Sequence, residues 1–200
     1  MTALSAAESN EDIEQPLHAP TKILDYLYLG DKRQAYNEKL LQTIGITHIF
    51  ACISTFFSQE DNKVIQIKCS PMDDRGNSNL PSHVAKAIKF VKKAQEWEAE
   101  NKVPAKILVY CSLSVNRSPS LVLGILMELH KMTLKEAYKF VSSKHSKVCI
   151  HDKYMSQLRE FDKQIFGEYS TKENELPTTS SVMAEVVAKL RQNQQDDSME

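Results

Sequence analysis

The segment KILVYCSLSVNRSPSLVLGILMELHK, residues 106–131, constrains the fold more than any other part of the chain. KILVY is a short, continuously apolar run with β-branched residues, the pattern of a strand covered on both faces. SPSLVLGILMELHK is apolar nearly all round at helical spacing, and Pro119 suits a first helical turn, so it predicts a buried helix. The polar loop CSLSVNR joins the two. A covered strand running into a buried helix is the half-unit of a parallel sheet with helices packed on it.

The rest of the chain repeats that alternation. ILDYLYLG, 23–30, reads as a strand pair or strand–turn ending at Gly30. DKRQAYNEKLLQTIG, 31–45, has helical spacing, with Asp31 as N-cap and Gly45 as stop. ITHIFACIS and VIQIK are β-rich, and SPMDDRGNSNLPS, 70–82, is a loop by its turn residues. HVAKAIKFVKKAQEWEAE, 83–100, is an amphipathic helix. Thr133 and Glu136 open another as a capping box, and 151–167 forms a third, stopped by Gly167. The fold class is α/β: a central, mostly parallel sheet flanked by helices, with the late helices crowding one face.

This places one domain over 17–167, after a polar, irregular lead at 1–16 and before a polar tail at 168–200. Within the tail, 180–192 carries Val182, Val186, Val187 and Leu190 on one side; a weakly helical, irregular tail is favoured over a docking helix. Formal net charge is −1 and the charges are interspersed, so composition points to neither nucleic acid nor a membrane surface as partner. No apolar run approaches a membrane span, and the N-terminus has no signal pattern, so an intracellular protein, cytoplasmic or nuclear, is expected. The four cysteines form no CxxC pair and the six histidines are scattered, so no metal site is expected. His48 reads as a packed strand residue; His145 and His151 read as solvent-facing.

The chemistry lies in the loop between Cys111 and Arg117. It sits at the carboxyl end of a central strand and at a helix N-terminus. Successive N–H groups there converge on an anion, aided by the positive helix end. A guanidinium adds a two-pronged grip on phosphate oxygens. The same field stabilises a thiolate, which is then placed for in-line attack on a bound phosphoryl group. A C-x5-R match alone is weak; the strand–loop–helix setting and the adjoining Ser118 strengthen it.

YCSLSVNRSPSLVLGILMELHKMTLKEAYKFV resembles the signature region of the dual-specificity phosphatases, within the cysteine-dependent protein tyrosine phosphatases. ILDYLYLGDKRQA, GITHIFACIS and SNLPSHVAKAIKFV resemble further elements of that family in its order, so the likeness extends over roughly 20–167. The resemblance implies a protein phosphatase acting on phosphotyrosine, and on phosphoserine or phosphothreonine, with a phosphorylated protein as partner and no metal or other cofactor. Cys111 would be the nucleophile. Arg117 and the amides of Ser112, Leu113, Ser114, Val115, Asn116 and Arg117 would bind phosphate, and Ser118 would hydrogen-bond the sulfur. The general acid would come from the loop after VIQIK, where Asp74 is favoured over Asp73 by its distance from Asn79-Leu80. Two positions depart from the family: Tyr110 stands where histidine is usual and Ser114 where glycine is usual. They keep open a second reading, a phosphoprotein-binding module with impaired chemistry. A sulfur-transfer protein of the rhodanese type is a third, which the length of the match disfavours. The sequence leaves oligomeric state undetermined.

Overall fold

The computed structural model describes residues 18–54 and 65–196; the expected irregular lead at 1–16 lies outside them. Five strands form one sheet: β1 (Thr21–Lys22), β2 (Leu27–Asp31), β3 (His48–Ala51), β4 (Gln66–Cys69) and β5 (Ile107–Cys111). Their order is β1-β2-β5-β3-β4. Only β1 runs antiparallel, pairing Thr21 with Leu29 across the turn that ILDYLYLG predicts. β5 is central, in parallel register with β2 (Leu29↔Val109) and β3 (Phe50↔Val109). Its five residues are all buried, which explains the unbroken apolar run.

Helices cover both faces. α1 (Lys32–Ala35) and α2 (Glu38–Ile44) lie on one side. α3 (Leu80–Asn101), α4 (Arg117–His130), α5 (Leu134–Lys144) and α6 (Asp152–Phe166) crowd the other. The main core joins that helical layer to β5 through residues such as Val109, Val84, Leu121, Ile125 and Leu158. A smaller core under α2 takes Tyr28, Leu41, Ile49, Leu108 and Tyr110. Gly124 lets α3 approach α4, since a Cβ there would stand 2.3 Å from Val84 Cγ2.

Four expectations change. The single helix over 31–45 is two, because the Asn37 side chain accepts from the Leu40 N–H and starts α2 afresh after Tyr36. Asp31 and Gly45 cap as expected, Gly45 in the left-handed region at φ 77°. α3 begins three residues early, at Leu80, because Asn79 caps it and Pro81 fits its first turn. Residues Thr179–Asp196 form a helix, α7, where the sequence favours an irregular tail. Asp152 holds its start: Thr178, Thr179 and Ser180 all donate their hydroxyls to that carboxylate, at 2.6, 3.0 and 2.6 Å. His145 is half-buried rather than solvent-facing, and His151 caps α6, its Nδ1 accepting from the Lys153 N–H.

Three expectations hold in detail. His48 is 3% exposed and meets Phe90 and Trp97 edge-on. Thr133 and Glu136 cap α5 reciprocally, and Gly167 ends α6 at φ 84°.

Candidate active site

β5 ends at Cys111 and α4 begins at Arg117, so the intervening loop lies at the carboxyl edge of the sheet's middle strand. Four of its carbonyl groups are bonded to residues beyond the loop. Ser112 O accepts from the Lys32 N–H at 3.3 Å and Val115 O from the Cys149 N–H at 2.9 Å. Ser114 O is bonded to His145 Nε2 at 2.8 Å. Asn116 O accepts from Ser120. By contrast, no backbone N–H of Ser112 to Asn116 donates to a protein acceptor among the described residues. α4 also has no side-chain cap at Asn116. The loop therefore keeps a run of N–H donors free of protein acceptors among the described residues, at a positive helix end, an arrangement that suits one anion.

Ser114 makes the turn possible at a cost. It adopts φ 60°, a left-handed conformation, and is 3% exposed with its hydroxyl lacking a hydrogen-bond partner. The His145 contact to its carbonyl helps hold that conformation. Nδ1 of the same ring is 2.8 Å from Thr21 Oγ1, so β1 supports the loop through one imidazole. Burial pushes the His145 pKa below its ordinary value, against the opposing pull of the Ser114 carbonyl.

Cys111 is 2% exposed and Sγ accepts a hydrogen bond from Ser118 Oγ at 3.2 Å. Arg117 Nη2 donates to Ser112 Oγ at 3.0 Å. Arg117 Nε lies 2.9 Å from Asp74 Oδ1 in an ion pair without the angle of a directed hydrogen bond. Cys52, one step beyond the Ala51↔Tyr110 pair, is fully buried; burial and then the neighbouring Cys111 push its thiol well up. Leu113 stands on the rim, 72% exposed. Tyr110, fully buried, packs in the smaller core with Leu108 and Ile49, whereas Cys111 belongs to the main core.

The two candidate acids separate. Asp73 is tied into its own loop: the Arg75 N–H donates to its carboxylate, which holds it below the usual carboxylate range. Asp74 instead reaches Arg117, and Asn116 Nδ2 donates to its carbonyl (2.8 Å) and its carboxylate (3.2 Å). The loop is strapped to α6. Tyr154 donates to Asp73 O, Gln157 Nε2 to Gly76 O and Ser78 O, and Lys153 to Asn77. Gly76 fits against that helix at φ 77°, where a Cβ would lie 2.7 Å from Lys153 Cβ.

Sequence reasoning thus brings Cys111, Ser118, Arg117 and Asp74 to one place. It misses His145, the bridging Asn116 side chain, which also accepts from the His151 N–H, and the α6 straps. The straps had a partial trace in Lys153 and Gln157, two polar residues four positions apart on α6. Among the described residues no group of three or more His, Cys, Asp or Glu side chains converges to hold a metal ion.

This fold and this site define a class: the chain belongs to the dual specificity phosphatases, whose catalytic domain ("Dual specificity phosphatase, catalytic domain") matches residues 27–164. Dual specificity protein phosphatase 4 of Homo sapiens is 28% identical over 155 residues, 76% of this chain and 38% of that protein. Dual specificity protein phosphatase 1-A of Xenopus laevis is 27% identical over 161 residues, 80% of this chain and 42% of that protein. The chain thus spans about two fifths of the length of these relatives. A mouse putative dual specificity phosphatase complexed with zinc tungstate superposes with TM-score 0.64 at 20% identity, covering 76% of this chain and 92% of that one. The human tyrosine phosphatase-like serine/threonine/tyrosine-interacting protein gives 0.61 at 21% identity, covering 73% and 97%. At these identities the structural likeness speaks for the fold alone.

Proposed function

We propose that this protein is a cysteine-dependent phosphatase acting on phosphorylated proteins, at phosphotyrosine and at phosphoserine or phosphothreonine. The observation that carries the reading is the loop after Cys111, whose N–H groups from Ser112 to Asn116 meet no protein acceptor among the described residues and are left for an anion.

In the proposed first step a lone pair on Cys111 Sγ forms the S–P bond as the bond from phosphorus to the leaving oxygen breaks. The departing electron pair takes a proton from Asp74. The loop amides and Arg117 hold the three remaining oxygens. A phosphate entering the loop competes with Asp74 for the guanidinium edge, which frees the carboxyl to face the leaving group. In the second step Asp74 accepts a proton from water, whose oxygen attacks phosphorus. The S–P pair returns to sulfur, where the Ser118 hydroxyl supports the thiolate, and inorganic phosphate leaves.

Two variants test this with an aryl phosphate and a phosphotyrosyl peptide. Cys111→Ser should abolish turnover yet still bind the peptide. Asp74→Asn should lower kcat by about 10²-fold or more, and far more than Asp73→Asn. Wild-type protein that binds phosphopeptide through Arg117 without turning over either substrate would instead establish the binding-module reading. The strained Ser114 is the observation that favours that second reading.

A further inference from the structure

A chain with net charge −1 has little reason to segregate its lysines, yet one edge of this molecule does so. Among the described residues β4 is an edge strand, paired with β3 alone. Between it and α3 runs a groove of about 480 Å³ lined by Gln66, Ile67, Lys68, Lys86, Lys89, Phe90 and Lys93. All four lysines are exposed, and Lys92 follows on the adjoining face of α3. None of the five joins an ion pair among the described residues.

Helix stability does not account for this arrangement. Lys86 and Lys89, Lys89 and Lys92, and Lys89 and Lys93 stand three or four residues apart, where like charges repel. Glu98 and Glu100 sit in the last turn, the end that favours cations, and that turn contains no basic residue. Glu96, three residues after Lys93 and four after Lys92, offsets the repulsion at one end; Lys86 and Lys89 have no acidic residue three or four positions away on α3, and an external anion relieves them. Among the described residues no strand pairs with the outer edge of β4, which an extended chain can meet by strand addition. β4 also leads, through Ser70 and Met72, into the loop that carries Asp74. The strand that lines the groove and the loop that carries Asp74 are thus consecutive in the chain.

We propose that this groove docks an acidic, extended segment of a protein partner, with Lys68, Lys86, Lys89 and Lys93 facing its carboxylates and β4 pairing with its backbone. Calling that partner a substrate rests on the phosphatase reading; the binding does not.

The probe is a fluorescein-labelled, unphosphorylated random glutamate–tyrosine copolymer, titrated with the full chain and read by anisotropy. Replacing Lys68, Lys86, Lys89 and Lys93 together by Gln, a residue of similar helix propensity, should weaken binding at least about tenfold at about 50 mM salt. The difference should shrink at about 0.5 M salt, where exposed charges are screened. Arginine at the same four positions should retain binding. On the tyrosine-phosphorylated copolymer the Gln variant should raise KM, leaving kcat and KM for a small aryl phosphate unchanged. Equal affinity of wild type and the Gln variant for the unphosphorylated copolymer overturns the proposal. So does tighter binding to phosphatidylserine vesicles than to the copolymer. Failure to turn over either substrate sinks the phosphatase reading instead, while the anisotropy still decides the docking.

Discussion

Replacing Ser114 by glycine should make the protein more stable, and the size of the gain can be worked out from the loop. Ser114 holds φ 60°, a conformation that costs a residue with a Cβ about 1 kcal/mol and glycine nothing. Its buried hydroxyl lacks a hydrogen-bond partner, which costs about 1 kcal/mol more. Glycine returns part of that gain, about 0.5–1 kcal/mol, because the unfolded chain becomes freer. The net stabilisation is about 1 kcal/mol, or about 3 °C in Tm for a domain of this size. Thermal melts and urea titrations of Ser114→Gly measure it directly, and the urea midpoint should rise with an unchanged slope. Ser114→Ala, which keeps the Cβ and removes only the hydroxyl, should recover the hydroxyl's share, about 1 kcal/mol. The His145 contact goes to the Ser114 carbonyl, so Ser114→Gly preserves it and should not lower turnover. A Tm equal to or below wild type in Ser114→Gly would refute the reasoning, because it would mean that the serine side chain supports the loop.

Three further outcomes are expected. His145 is held with a lowered pKa by burial, so the folded chain resists protonating it. The stability this contributes is complete above about pH 6.5 and is lost as pH falls through the lower folded value; the urea midpoint of His145→Gln should show a flatter acid limb than wild type. Asp162 is fully buried and accepts from the N–H groups of Leu134 (2.8 Å) and Ser170 (2.6 Å). Asp162→Ala leaves both donors without their acceptor and should cost about 2–4 kcal/mol, read from chemical denaturation. Tyr110→His restores the residue usual in the family; it should lower Tm, since a smaller, polar ring replaces a fully buried phenol, and at the same time raise aryl phosphate turnover.

The elements that sequence revealed are those whose signals are local. Strand β5 shows as an aliphatic run because both its faces are covered, and α5 shows through a capping box complete within four residues. Cys111, Arg117 and Ser118 show because the loop, the strand and the helix that position them are contiguous. The single helix expected over 31–45 fails for a local reason too: Asn37 falls within the helical spacing, yet its side chain caps a new helix. What stayed hidden depends on residues far apart in the chain. His145 meets Ser114 across 31 positions and Thr21 across 124, and Gln157 meets Ser78 across 79. No periodicity encodes such pairs. α7 hid differently: its hydrophobic stripe is weak, and the three hydroxyls that anchor its start on Asp152 look like ordinary linker residues.

The straps from α6 set a rule for engineering. The segment carrying Asp73 and Asp74 takes its shape from Tyr154, Gln157 and Lys153 as much as from its own backbone. Transplanted alone into a homologous scaffold, it would arrive without its fastenings. A working chimera must exchange the loop and the first half of α6 as one cassette, with the inward glycine at 76 retained so that the two pieces can close.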